Sequence, residues 1–135
     1  MSLHDEVYDL LNVSGITALV STRIYRAQAP QQKYAGPYIV FKMISNHSEE
    51  SLVGPSGLAY ARMQFDCCAT AADGGSQTCR AICEAIRMNL TGYRGGNIQD
   101  ICQQSDIDLF DLDTLEHVVA LDLEIAYGEP QPTII

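Results

Sequence analysis

From residue 95 to residue 135 the chain has no lysine and no arginine. It has no apolar run near the ~20 residues that a membrane-spanning helix requires, so no helical span is expected. The first residues, Met1 to Glu6, carry neither a basic segment nor the apolar stretch of a secretory signal, and a cytoplasmic setting is therefore expected. The five cysteines are odd in number, which argues against a disulfide framework and for thiols in a reducing compartment. Gly74-Gly75 and Gly95-Gly96 lack the lysine and the strand-to-helix setting of a phosphate loop. His4, His47 and His117 are scattered, and no serine or cysteine nucleophile sits in a supporting motif. Catalytic residues, a bound cofactor and a metal are accordingly all read as none.

With 135 residues the chain suits one domain, read as residues 1–128 followed by a loose tail over 129–135 that holds Pro130 and Pro132. Its hydrophobic fraction of 47% and charged fraction of 19% are those of a globular chain rather than a disordered one. The net charge is −9, and it is unevenly spread. All the bases (Arg23, Arg26, Lys33, Lys42, Arg62, Arg80, Arg87 and Arg94) fall within residues 23–94, whereas acids dominate both ends. A negative domain repels phosphates, so no direct nucleic-acid binding is expected. Segregated charge suits complementary surfaces on different copies of one chain, although the acids also serve solubility.

Apolar periodicity places the elements. Leu3, Val7, Leu10 and Leu11 form one stripe of a helix over residues 3–12, with Asp5 and Glu6 in its favourable first turn, and Ile16 to Val20 adds a turn. Arg23 to Tyr25 is a short extended piece, and Tyr38 to Ser45 a strand with Ile39, Phe41 and Met43 on one face. Residues 46–57 read as a long polar loop. In the strand Leu58 to Ala69, the residues Ala59, Ala61, Met63, Phe65 and Cys67 alternate with Tyr60, Arg62, Gln64 and Asp66. A helix follows the turn Asp73 to Ser76, with Cys79, Ile82, Cys83, Ile86 and Leu90 as its core stripe. Ile98 to Phe110 is a strand whose apolar parity changes between Cys102 and Ile107, the mark of a bulge. Leu115 to Tyr127 is the last strand. The expected fold is α+β: an antiparallel four-stranded sheet with two helices on one face, in the order α-β-β-α-β-β.

Three groups of residues are candidates for recognition. The open sheet face bearing Tyr60, Arg62 and Gln64 is a candidate self-association face, since large polar residues occupy a central strand. Asn46, Glu49, Glu50, Leu52 and Pro55 belong to the candidate partner loop. Asp106, Asp108, Asp111 and Asp113 form a candidate acidic edge. Counted as a calcium loop from Asp106, the glycine position holds Asp111 and the final glutamate position holds His117, so that template fails. Cys79 and Cys83 lie one helical turn apart and Cys67-Cys68 end a strand, but this spacing is no recognised zinc knuckle, and Cys67, Cys79 and Cys83 fall on core faces.

Several stretches resemble those of the phage tail-completion proteins, a family related to the tail terminators. They are Thr17 to Tyr25 with Ala29-Pro30 and Pro37 to Val40; Gly54 to Leu58 leading into Ala61 to Asp66; the helix Cys79 to Leu90 ending in Gly92-Tyr93; and the acidic hairpin feeding the strand Val118 to Tyr127. They run in register over about residues 3–128, and Asp73 to Ser76 departs from the more charged segment expected there. The resemblance implies a non-enzymatic part of a virion tail. Its partners would be itself, as a homo-oligomeric ring (commonly a hexamer), and the tail-tube and head-connector proteins. The rival expectation is a small cytoplasmic ligand-binding or regulatory module on the same α+β plan.

The charge asymmetry generates a prediction. If the acidic C-terminal part of one copy meets a basic edge of the next, ~1 M salt, which shortens the screening length to about 3 Å, shifts oligomer toward monomer in sedimentation. An oligomer unchanged or enlarged at high salt would reduce the asymmetry to a solubility feature.

Overall fold

The antiparallel pairing of the strand Gly54–Thr70 with the strand Glu116–Gly128 is the spine of the molecule, and it runs from Leu58↔Gly128 to Thr70↔Glu116 without a register shift. The computed structural model describes residues 3–27, 36–51, 54–112 and 115–128, with side chains described for all of these except 48–51 and 54–57. The helices are α1 (Leu3–Leu11), α2 (Ser14–Val20) and α3 (Ser76–Leu90), with a short 3-10 turn at Ala71–Asp73. The strands are β1 (Ile24–Arg26), β2 (Tyr38–Ser51), β3 (Gly54–Thr70), β4 (Ile98–Asp111) and β5 (Glu116–Gly128), arranged in one sheet as β1-β2-β3-β5-β4.

The two central strands alternate as their sequences predict. Ala59, Ala61, Met63, Phe65 and Cys67 of β3 and Val119, Leu121, Leu123 and Ile125 of β5 are buried on one face, where they join Cys79, Ile82, Cys83, Ile86 and Leu90 of α3 in a single core. Leu3, Val7 and Leu11 of α1 and Ile16 and Val20 of α2 complete it.

The expected four antiparallel strands and two helices become five strands and three helices. Val13 is extended (φ −115, ψ 155), so the N-terminal helix breaks and α2 starts anew at Ser14 rather than adding a turn. β1 enters the sheet in parallel with β2, pairing Ile24↔Ile39 and Arg26↔Phe41. A strand of three residues is too short to show alternation, and this one is held by non-local bonds. The Arg23 Nε donates to the Pro37 carbonyl at 2.8 Å, and the Ile39 N–H to the Arg23 carbonyl at 3.0 Å. Gly36 is required there: at φ +140 a Cβ would come within 2.8 Å of the Arg23 guanidinium.

The expected polar loop over residues 46–57 is a correction of another kind. Its backbone continues β2 to Ser51 and resumes as β3 at Gly54, with Glu50↔Pro55 and Ser51↔Gly54 paired. Among the described residues β5 ends at Gly128 opposite Leu58, so beyond Leu58 the arm is paired only between β2 and β3. The stretch Asn46-His47-Ser48-Glu49-Glu50-Ser51 pairs through its backbone, and its sequence lacks the apolar alternation that identifies a strand.

β4 carries two register shifts, at Ile98/Asp100 and Gln103/Ser105. Ile101 and Gln103 share the helix-side parity of Ile125 and Leu123; past the second shift that side is taken by Asp106 and Asp108, and Ile107 and Leu109 turn to the opposite face. Both aspartates then meet α3: Arg80 reaches Asp106 at 2.9 Å and Asp108 at 2.6 Å.

Two outcomes are expected. Phe65 is wholly buried, so Phe65→Ala should cost about 3–5 kcal/mol in denaturant unfolding, a large part of a domain's ~5–15 kcal/mol. Arg80 and Asp108 are solvent-exposed partners, so an Arg80→Ala/Asp108→Ala double-mutant cycle should give a coupling of no more than ~1 kcal/mol. A value well above that would make this clasp a principal tie between α3 and β4.

Candidate functional site

All described helices lie against one face of the sheet, and the other face is left open by the described residues. The register divides it into two zones. At one end, Lys42, Gln64, Asp122 and Ser105 line up across four strands, with Arg62 beside Glu124 in the next row. Arg62 pairs with Asp122 at 2.9 Å, and the Gln64 amide donates to Asp66 at 2.6 Å, so this zone is cross-linked within the chain. Tyr60, Arg62 and Gln64 thus do share the open face.

At the other end, Tyr38, Cys68, Val118 and Leu109 form one row, and Val40, Asp66, Ala120 and Ile107 the next. Ile107 is 58% exposed, Leu109 49%, and Leu112, just past the strand, 79%. A shallow depression of about 500 Å3 opens here, lined by Gln64, Asp66, Leu109, Asp111, Leu112 and Val118 among others. Sequence reading had not singled out this apolar ledge. Its signal was the parity change between Cys102 and Ile107, which marks the bulge that puts Ile107 and Leu109 outside.

The other candidates are dispersed. Asp106 and Asp108 are held by Arg80, Asp111 belongs to the open-face depression, and Asp113 lies outside the described residues, so the acidic edge is split between two faces. Asn46 accepts a hydrogen bond from the Tyr127 hydroxyl at 2.9 Å. Glu49, Glu50 and Pro55 lie in the backbone of the β2–β3 arm with side chains that are not described, and Leu52 lies outside the described residues.

The thiols are core material. Cys67, Cys79 and Cys83 are buried between β3 and α3, and Cys68 lies beneath the open face. Burial pushes the Cys68 thiol up to about 12 and those of Cys79 and Cys83 up to about 11, and holds Cys67 well above its ordinary value. Thiols so protonated are poor nucleophiles and poor metal ligands. Among the described residues no three histidine, cysteine or acidic side chains come together as a metal site. Cys102 is exposed, with its Sγ 3.4 Å from Asp100. His4 lies beside Phe41 of β2 and His117 beside Phe110 of β4. His4 titrates below its usual value, chiefly because of burial and then because of Arg26.

What this geometry offers is a broad surface with an apolar end and a polar, ion-paired end. A similar fold occurs in a chain of a solved structure titled "Virion of native gene transfer agent (GTA) particle", with a TM-score of 0.80 at 20% identity over 95% of this chain and 96% of that one. No curated protein matches the chain. The family model described as tail completion protein gp17 matches residues 7–128, which is nearly all of the sequence, and the chain belongs to that family of phage tail-completion proteins.

Proposed function

We propose that the protein is a non-enzymatic structural part of a phage-type tail that caps the tail tube and joins it to the head connector. The family match over residues 7–128 carries this reading. The geometry supports it, since the open face is broad and its depression shallow. Enclosed small-ligand sites are deep and bury most of their ligand, whereas an exposed apolar patch with a polar surround suits a protein surface. On this reading the chain is made and assembled in the cytoplasm and ends in the virion tail, with the open face, including Tyr60, Arg62 and Gln64, covered by neighbouring subunits or tail proteins. The β2–β3 arm, which extends beyond the β3–β5 pairing, is well placed to contact a tail-tube or connector protein.

Deleting the gene from a particle-producing strain should leave filled heads and separate tails in electron micrographs, and supplying the chain in trans should restore joined particles. Normal particles in its absence would refute the joining role. A variant with the arm shortened by removing residues 47–56 should remain folded by circular dichroism, because β2 and β3 stay paired from Tyr38↔Cys68 to Asn46↔Ala61, yet fail to restore joining.

A further inference from the structure

A cavity of about 200 Å3 lies between α1 and the turn that leads from α3 into β4, lined by Glu6, Asp9, Leu10, Tyr93 and Ile98. Glu6, Asp9 and Leu10 share one side of α1, since residues three and four apart on a helix are neighbours. Beside them Leu3, Val7 and Leu11 are buried. The Asn97 N–H donates to Glu6 Oε1 at 2.9 Å, and the Gly128 N–H donates to the Asn97 carbonyl at 2.8 Å, so the carboxylate is fixed against the end of the sheet. The Gly95-Gly96 pair allows this approach: a side chain on Gly96, at φ +54, would collide with the Glu6 carboxylate, and one on Gly95 with the Tyr93 hydroxyl. The second oxygen, Glu6 Oε2, is buried without a hydrogen-bond partner. A buried acceptor left unpaired is costly, and a donor supplied from outside the chain accounts for it.

We infer that this cavity takes the guanidinium of an arginine side chain from another virion protein, held by Glu6 and Asp9 and lying against the Tyr93 ring. Each wall matches one part of that side chain. Two carboxylates accept from the planar fork of N–H donors. An aromatic ring offers its face to a flat, weakly hydrated cation. Leu10 and Ile98 suit the methylenes that carry the charge. The volume selects a single side chain, because cavities that enclose a whole small molecule run to about 300–1,000 Å3. None of the five lining residues is a base, and no ion pair among the described residues involves Glu6 or Asp9. A copy of this chain is a poor source of the arginine. Its Arg62, Arg80 and Arg87 are each held by an acid of their own chain, and Arg23 by the Pro37 carbonyl, which leaves Arg26 and Arg94. The inference rests on the reading of the chain as a tail part only in placing the arginine on a virion protein.

Titration followed by nuclear magnetic resonance tests the cavity itself. N-acetyl-argininamide added to the isotope-labelled protein should shift the amide signals of Gly96 and Asn97 and saturate. The citrulline analogue, of the same shape but neutral, should leave them unmoved, and the lysine analogue should bind ~tenfold more weakly. Glu6→Gln keeps an acceptor for the Asn97 N–H and should weaken binding at least ~tenfold; Asp9→Asn, at an exposed position that folding does not need, should do the same. No saturable shift, equal binding of citrulline or lysine, or binding that appears only in Arg94→Ala, where the chain's own arginine no longer fills the cavity, would each overturn the inference. In assembled particles a photo-cross-linking residue in place of Leu10 should capture an arginine-bearing peptide of a different virion protein, and changing that arginine to glutamine should abolish capture. Capture of this chain's own Arg26 or Arg94 would overturn the assignment of the partner. The two readings fail separately: absence of the chain from purified particles sinks the functional reading, whereas a chain present in particles that binds no arginine analogue sinks only the inference.

Discussion

Everything in this domain hangs on the unbroken antiparallel pairing of β3 with β5. With no shift along its length, every second residue of both strands faces the helices, and α3 finds a continuous apolar floor from Ala59 to Cys67 and from Val119 to Ile125. The period of a strand is two, so a single inserted residue anywhere in this pair would exchange its buried and exposed sets. The irregularities are instead confined to β2 and β4, which flank the central pair, and there the exchange is put to use.

β4 shows how. The shift at Gln103/Ser105 sends Asp106 and Asp108 toward α3, where Arg80 receives them, and sends Ile107 and Leu109 to the open face. One backbone irregularity thereby makes an internal ionic tie and an external apolar surface at once. Without it, Ile107 and Leu109 would share the parity of Ile101 and Gln103 and face the helices. Acidity in a sequence is thus a poor guide to free negative charge: Asp106 and Asp108 are both engaged by the chain's own Arg80.

The sequence was legible where burial imposes a period. β3, β5, the stripe of α3 and the bulge in β4 could all be read directly, because each buried position must be apolar. It was illegible where backbone bonds act without burial. β1 is too short to show a period and owes its place to Arg23 and Pro37, which are distant in sequence. The β2–β3 arm pairs along its backbone with no apolar alternation in its sequence, so its Asn, His, Ser and Glu residues read as loop. The break between α1 and α2 depends on a single extended valine. The candidate surface was half legible: Tyr60, Arg62 and Gln64 do share a face, but the apolar ledge required following the parity change through to its geometric result.

Among the described residues β4 also forms one border of the sheet, and the chain covers part of it: Gly95 bonds both the amide and the carbonyl of Ile98, and the Gly92 N–H bonds the Ile101 carbonyl. Long, flat, uncovered borders template endless strand addition. Here the two register shifts interrupt the row of amides as well. A border so covered and so irregular is a poor template for strand addition along the sheet.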